Sequence, residues 1–205
     1  TQAMSSAASD VYKRQKLTGN HVTDVTNASR TLLMDLQSLS WLDKVLDVLD
    51  IPKKSLPSIK PSMFHFGTNF ELLKNVPITA VLGDQQASLF GQNCITSGDV
   101  KNTYGTGCFS LTNTGNEIIY SNNGLLSTVA YQMEGNEPQY ALEGSVSIAG
   151  AAVQWLRDNL NIIEESAEVE SLAMSVKNNG DVYFVPAFSG LFSPHWDETA
   201  RGVLV

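Results

Sequence analysis

Between Val100 and Leu111 the strand-forming residues Val100, Thr103, Tyr104, Cys108, Phe109 and Leu111 flank a Gly105-Thr106-Gly107 interruption. Two β runs around a tight turn make a hairpin. Its tip carries no bulky Cβ atom, so backbone N–H groups there can approach an anion closely, and Thr106 adds a hydroxyl. The plainer reading is an ordinary hairpin with a convenient turn. Pattern alone leaves both open.

The composition, 42% hydrophobic and 17% charged over 205 residues, is that of a globular chain. That length holds one large domain or parts of two. No apolar run approaches the roughly 20 residues of a transmembrane helix. No basic and apolar leader marks secretion, so a cytoplasmic protein is expected. Cys94 and Cys108 lack metal-ligand spacing and read as buried free thiols of a reducing cytosol. The net charge of −8 is uneven: residues 1–101 carry 10 basic and 9 acidic side chains, residues 102–205 only 3 basic against 12 acidic. Such a surface repels polyanions and excludes nucleic acid as a partner, but admits a small phosphate ligand held by backbone donors and a metal ion.

Residues 1–16 are small and polar without period and are expected to be a disordered or foreign leader. Thr23, Asp24, Thr26, Asn27 and Ser29 form a polar loop that either faces a cleft or simply caps a turn. Ser40 is placed to N-cap a helix burying Trp41, Leu42, Val45, Leu46 and Leu49, which Pro52 stops. Residues 52–77, broken by Pro57, Pro61 and Gly67, read as a surface excursion, with His65 a packing or surface histidine.

Ile78–Leu82 predicts a short strand of the kind buried in an α/β sheet, and Gln85–Phe90 begins a helix. Asp84 then lies at a strand's carboxyl end and a helix's amino end, where α/β proteins place ligands. It serves there as an N-cap, worth about 1 kcal/mol, or as a carboxylate presented to a cleft as general base. Position alone does not separate these roles.

Further strands are predicted over Leu125–Tyr131 and Tyr140–Leu142, and a helix over Ala151–Leu160. Gly150 at that helix start either eases the chain into the helix or contacts a nucleotide at the positive helix end, with Gln154 one turn in. A helix over Glu164–Lys177 should bury Val169, Leu172, Ala173 and Val176 and expose an acidic face. Residues 182–188 read as a strand ending at Pro186. Arg201–Val205 read as a strand cut off part-way, so a truncated chain is expected.

The segments GDQQASLFGQ, KNTYGTGCF, YALEGSVSIAGAAVQWLRDNL and VYFVPAFSGLFSPHWD, with TDVTNASRTLL before them, resemble the glycerol kinase branch of the FGGY carbohydrate kinases. The resemblance runs from His21 to Val205. It implies an α/β architecture of the ribonuclease-H-like, actin-like ATPase kind, with two domains facing across a cleft that holds ATP and glycerol. Residues 17–93 would be the last part of the first domain and 94–205 the opening of the second, truncated at both ends.

By the same resemblance Asp84 is the catalytic carboxylate, Gln85 its glycerol-contacting neighbour, and Phe109 an aromatic lining the glycerol carbons. Thr106, Gly150 and Gln154 match nucleotide contacts. ATP and Mg²⁺ are the implied cofactors, and the main Mg²⁺ ligand belongs to an amino-terminal part that this sequence lacks. The family's phosphate loop and its Arg-Glu glycerol clamp are also missing, so this chain alone is expected to be inactive. Over Thr68–Val76 bacterial members carry a Gly-rich stretch ending in Arg for allosteric fructose bisphosphate. Asn75 stands in place of that Arg, so such regulation is not expected. His195 replaces a usual tyrosine. A kinase for another polyol or sugar, or a non-catalytic actin-like nucleotide-binding module, are the alternatives; a homo-oligomer is left open.

Overall fold

Short strands alternate with short helices through a computed structural model that describes residues 11–69 and 75–205. Residues 11–18 form α1. There follow β1 (Val22–Asp24), α2 (Val25–Ser29), β2 (Met34–Asp35), β3 (Ser40–Trp41), α3 (Asp43–Val48), β4 (Ser58–Lys60), β5 (Met63–Asn69), β6 (Val76–Ala80) and α4 (Asp84–Gly91). The remainder is β7 (Val100–Tyr104), β8 (Cys108–Gly115), β9 (Leu126–Tyr131), β10 (Gln139–Val146), α5 (Gly150–Asp158), α6 (Glu168–Met174), β11 (Phe184–Val185) and β12 (Val203–Leu204). Strands β7, β8, β10 and β9 form a four-stranded sheet in that order. No helix among the described residues is long and apolar enough to cross a membrane.

The chain divides into two compact units. The first holds residues up to Lys101 with Thr112–Tyr120 and Ser127–Leu142; the second holds Asn102–Leu111, Ser121–Leu126 and Glu143–Val205. The units interleave along the chain. Strands β8 and β10 each contribute residues to both units.

In the first unit β1 runs parallel to β4, Val22 opposite Ser58 and Asp24 opposite Lys60. The core there is Val25, Ala28, Met34, Val129 and Tyr140, with Trp41 and Ile59 packed against it. The Trp41 indole donates to the Pro57 carbonyl at 2.8 Å, and the Tyr140 hydroxyl to the Leu36 carbonyl at 2.8 Å. Residues 52–77 are therefore not the irregular excursion their prolines suggest. Pro57 and Pro61 merely bracket β4, and Phe66 on β5 is buried. His65 beside it is exposed, as a surface histidine should be.

Several local expectations change in the same way. Ser40 does not cap a helix, because it pairs with Asp35 in the β2–β3 hairpin; α3 begins at Asp43 and buries only Leu46. The predicted strand at Ile78–Leu82 is shifted to Val76–Ala80, pairs antiparallel with β5, and is largely exposed rather than buried. Asn75 ends the turn before it at a φ of 70°, a left-handed conformation that Asn tolerates; the preceding residues 70–74 of the compared regulatory stretch lie outside the described residues. Residues 11–16 of the expected leader are helical, and Arg14 is buried, donating to the Val22 carbonyl and the Thr23 hydroxyl at 3.2 and 3.1 Å. Residues 1–10 of that leader lie outside the described residues.

In the second unit Trp155 of α5 stacks on Phe184 of β11 and packs against Phe188, at ring separations of 5.6 and 5.2 Å. Strand β11 pairs antiparallel with β12. The loop before β12 is anchored where the Trp196 indole and the Ser193 hydroxyl donate to the Gly124 carbonyl at 2.7 and 3.1 Å. Helix α6 is shorter than Glu164–Lys177 and has no buried residue, Leu172 being 49% and Val176 61% exposed. Its apolar spacing is helical, yet Leu172, Ala173 and Val176 are exposed and Val169 is only half-buried.

Candidate active site

Asp84 is the first residue of α4. Gly83, not Asp84, is the N-cap, in extended conformation and without a side-chain hydrogen bond. The aspartate's capping role in the sequence reading is thus taken away. Among the described residues its carboxylate accepts the neighbouring Gln85 N–H alone, at 2.8 Å, and the residue is exposed. A negative charge in a helix's first turn is stabilised by the positive end of the helix dipole, by about 0.3–1 kcal/mol at an exposed site.

Gln85 is held by a group that the sequence reading did not single out. The Lys101 ammonium, in a residue only 5% exposed, donates to Gln85 Oε1 at 2.5 Å. Because an ammonium only donates, the Gln85 carbonyl must face it, and the amide NH₂ is directed elsewhere as a donor. Leu89, fully buried one turn on, fixes the helix to the unit.

Beneath Gly83 lies a buried polar cluster. Asp24 is 0% exposed; Oδ2 accepts from the Thr26 N–H at 2.9 Å, the Thr26 hydroxyl at 2.6 Å and the Ser62 hydroxyl at 3.0 Å. Its Oδ1 accepts from the Asn27 N–H at 3.2 Å and the Asn27 amide at 2.6 Å. The polar loop of the sequence reading therefore caps α2, and it also reaches α4: the Gly83 N–H donates to Thr26 Oγ1 at 2.8 Å. The pattern TDVTN signals the cap. Nothing in it signals Gly83, 57 residues away.

The Gly105–Gly107 turn joins β7 to β8 as predicted, and its backbone also meets the start of α5. The Gly105 N–H donates to the Gly107 carbonyl at 2.9 Å. The carbonyls of Gly105 and Thr106 accept the first amides of α5: Gly150 N–H to Gly105 at 2.9 Å, and Ala149 and Ala151 N–H to Thr106 at 2.8 and 3.2 Å. A Cβ on Gly150 would lie 2.6 Å from the Gly105 carbonyl oxygen, and one on Gly107 would strike the carbonyls of Val146 and Ser147. The space freed by these glycines is filled by the chain's own backbone. The Gly150 amide is committed to that contact, so it does not stand as an open helix-end N–H.

Thr106 and Gln154 are exposed, and Phe109 is half-buried on β8. Asp84 and Gln85 lie together in the first unit; Thr106, Phe109, Gly150 and Gln154 lie in the second. Cys94 and Cys108 are free thiols. Among the described residues no three His, Cys, Asp or Glu side chains converge as a metal site. A cavity of about 360 Å³ in the first unit is lined by His21, Trp41 and, from the polar loop, Thr23 and Asn27, among others; Asp84, Gln85, Thr106, Phe109, Gly150 and Gln154 stand outside its lining.

Residues 2–91 match the N-terminal domain of the FGGY family of carbohydrate kinases, and residues 100–205 match its C-terminal domain. The glycerol kinase of Brucella anthropi is 58% identical over 187 residues, covering 91% of this chain and 38% of that protein. The glycerol kinase of Pseudarthrobacter chlorophenolicus is 54% identical over 189 residues, with the same coverage of 91% and 38%. The crystal structure of Plasmodium falciparum glycerol kinase with ADP superposes at a TM-score of 0.83 and 41% identity, over 96% of this chain and 40% of that one. Xylulose kinase from Lactobacillus acidophilus superposes at 0.80 and 26% identity, over 95% and 40%. The chain thus spans about two fifths of the length of the relatives it matches. Matched in turn by both domains and sharing their actin-like ATPase fold, the chain belongs to the FGGY family of carbohydrate kinases.

Proposed function

We propose that the protein carrying this chain transfers the γ-phosphoryl group of ATP to glycerol, forming sn-glycerol 3-phosphate and ADP. The observation that carries the proposal is Asp84: an exposed carboxylate at the start of α4, relieved of capping by Gly83, in a chain 54–58% identical to glycerol kinases. In the reaction a terminal glycerol oxygen attacks the γ-phosphorus, the new O–P bond forms, and the bond to the β–γ bridging oxygen breaks with its electrons leaving on ADP. The hydroxyl proton passes to Asp84. Gln85, its amide NH₂ turned outward by Lys101, donates to a glycerol hydroxyl, and Phe109 covers the carbons. Thr106, Gly150 and Gln154 serve the nucleotide. Mg²⁺, when bound, neutralises charge on the phosphates; we assign it no ligand among the described residues. The free thiols suit a reducing cytosol.

A substrate panel on the full-length protein tests the choice of alcohol. The expected result is kcat/KM for glycerol above that for xylulose by at least ~100-fold, about 2.7 kcal/mol of discrimination. A preference for a sugar would move the protein to another branch of the family. The Lys101–Gln85 contact gives a second expectation. Lys101→Met should raise the glycerol KM by roughly 10-fold, the worth of about one hydrogen bond, with the ATP KM unchanged. An unaltered glycerol KM in steady-state assays would remove Gln85 from the alcohol site.

A further inference from the structure

We infer that Thr26, held by the buried Asp24 carboxylate, is a positioning residue for Asp84; this rests on the reading of Asp84 as the general base. The direction of each bond in the relay is forced by chemistry. An ionised carboxylate only accepts, so the Thr26 hydroxyl gives its one proton to Asp24 Oδ2 at 2.6 Å. Its lone pairs then face the Gly83 N–H, which donates at 2.8 Å. Gly83 is the residue immediately before Asp84 and the N-cap of α4. Its amide is one that no intrahelical carbonyl can satisfy.

The cluster is built for rigidity. Asp24 and Thr26 are each 0% exposed, and Asp24 receives five hydrogen bonds from three residues. The neighbouring Gln86, 2% exposed, reaches the Val129 carbonyl at 3.4 Å on the inner side of the same helix turn. A bond to a charged acceptor polarises the hydroxyl and strengthens the one that follows. The result is that the backbone entering Asp84 is fixed from the interior, while the Asp84 side chain stays outside and accessible. A base must meet its proton within hydrogen-bond reach, and a displacement of about 1 Å can cost about 10²-fold in rate.

The test compares two losses from one carboxylate oxygen. Thr26→Val in the full-length protein keeps the shape but removes the acceptor of Gly83, whereas Ser62→Ala removes another donor to Asp24 Oδ2 without touching Gly83. Urea midpoints are expected to fall in both. Only Thr26→Val should lower kcat, by roughly 10- to 100-fold with the ATP KM unchanged, and Thr26→Ser should restore it to within about 3-fold. Thr26→Cys, whose sulfur is a poor acceptor of similar size, gives an intermediate kcat and serves if the valine variant does not fold. Wild-type kcat in Thr26→Val or Thr26→Cys, beside an inactive Asp84→Asn, overturns the positioning role alone. An equal kcat loss in Ser62→Ala also overturns it, by making the effect one of general stability. An active Asp84→Asn overturns the base assignment and the relay with it.

Discussion

Asp84→Asn in the full-length protein is expected to lower kcat by about 10³-fold, within the range of a lost general base. The substitution is nearly isosteric. An Asn carbonyl still accepts the Gln85 N–H that Asp84 Oδ1 accepts at 2.8 Å, so α4 should start where it does now. Gly83 and not Asp84 is the cap, so the variant also keeps its helix signal. What disappears is the site that takes the proton as the alcohol attacks. ATP affinity, assigned to Thr106, Gly150 and Gln154, should stay within about 2-fold of wild type. A non-catalytic nucleotide-binding module would instead keep its full function in this variant. Steady-state kinetics with an equilibrium ATP titration separate the two.

The second large effect is expected in the Gly105–Gly107 turn, and it distinguishes two glycines that look equivalent in sequence. Gly107→Ala should destabilise the protein by about 3 kcal/mol, because the new methyl would overlap backbone, which cannot rotate away as a side chain can. The atoms it meets are the carbonyls of Val146 and Ser147 at the approach to α5. Gly105→Ala should change stability by less than about 0.5 kcal/mol: its Cβ would find only the Gly107 carbonyl oxygen, at an ordinary 3.6 Å. The displaced turn would also pull on the amides of Ala149, Gly150 and Ala151, which it holds. The ATP KM should therefore rise in Gly107→Ala and stay level in Gly105→Ala. Urea unfolding and ATP kinetics of the pair provide the check; equal behaviour would mean that close backbone packing is not why glycine stands at 107.

These two sites show what a linear reading captures. The hairpin was legible because strand formers and a Gly-X-Gly turn act locally, and the start of α4 at Asp84 because an apolar run followed by Gly-Asp marks a turn into a helix. The reason for the glycines was not legible. It depends on the β10–α5 connection folding back onto the turn, a contact between residues some 40 positions apart in sequence. Ser40 was misread because Ser before an apolar run is as good a cap signal as any, and the hairpin with Asp35 won through tertiary packing of Trp41. Residues 52–77 were misread because Pro57 and Pro61 break periodicity without preventing a three-residue parallel strand between them. The Thr26–Gly83 and Lys101–Gln85 bonds are likewise products of the fold: each half is visible in sequence, the pairing is not.

The central claim is phosphoryl transfer to glycerol, and phosphorus NMR of the full-length protein with ATP, Mg²⁺ and glycerol tests it most directly. The account predicts ADP and sn-glycerol 3-phosphate appearing in equal amounts, with nucleotide turnover falling to background when glycerol is omitted. Release of ADP with inorganic phosphate at the same rate with and without glycerol would contradict it.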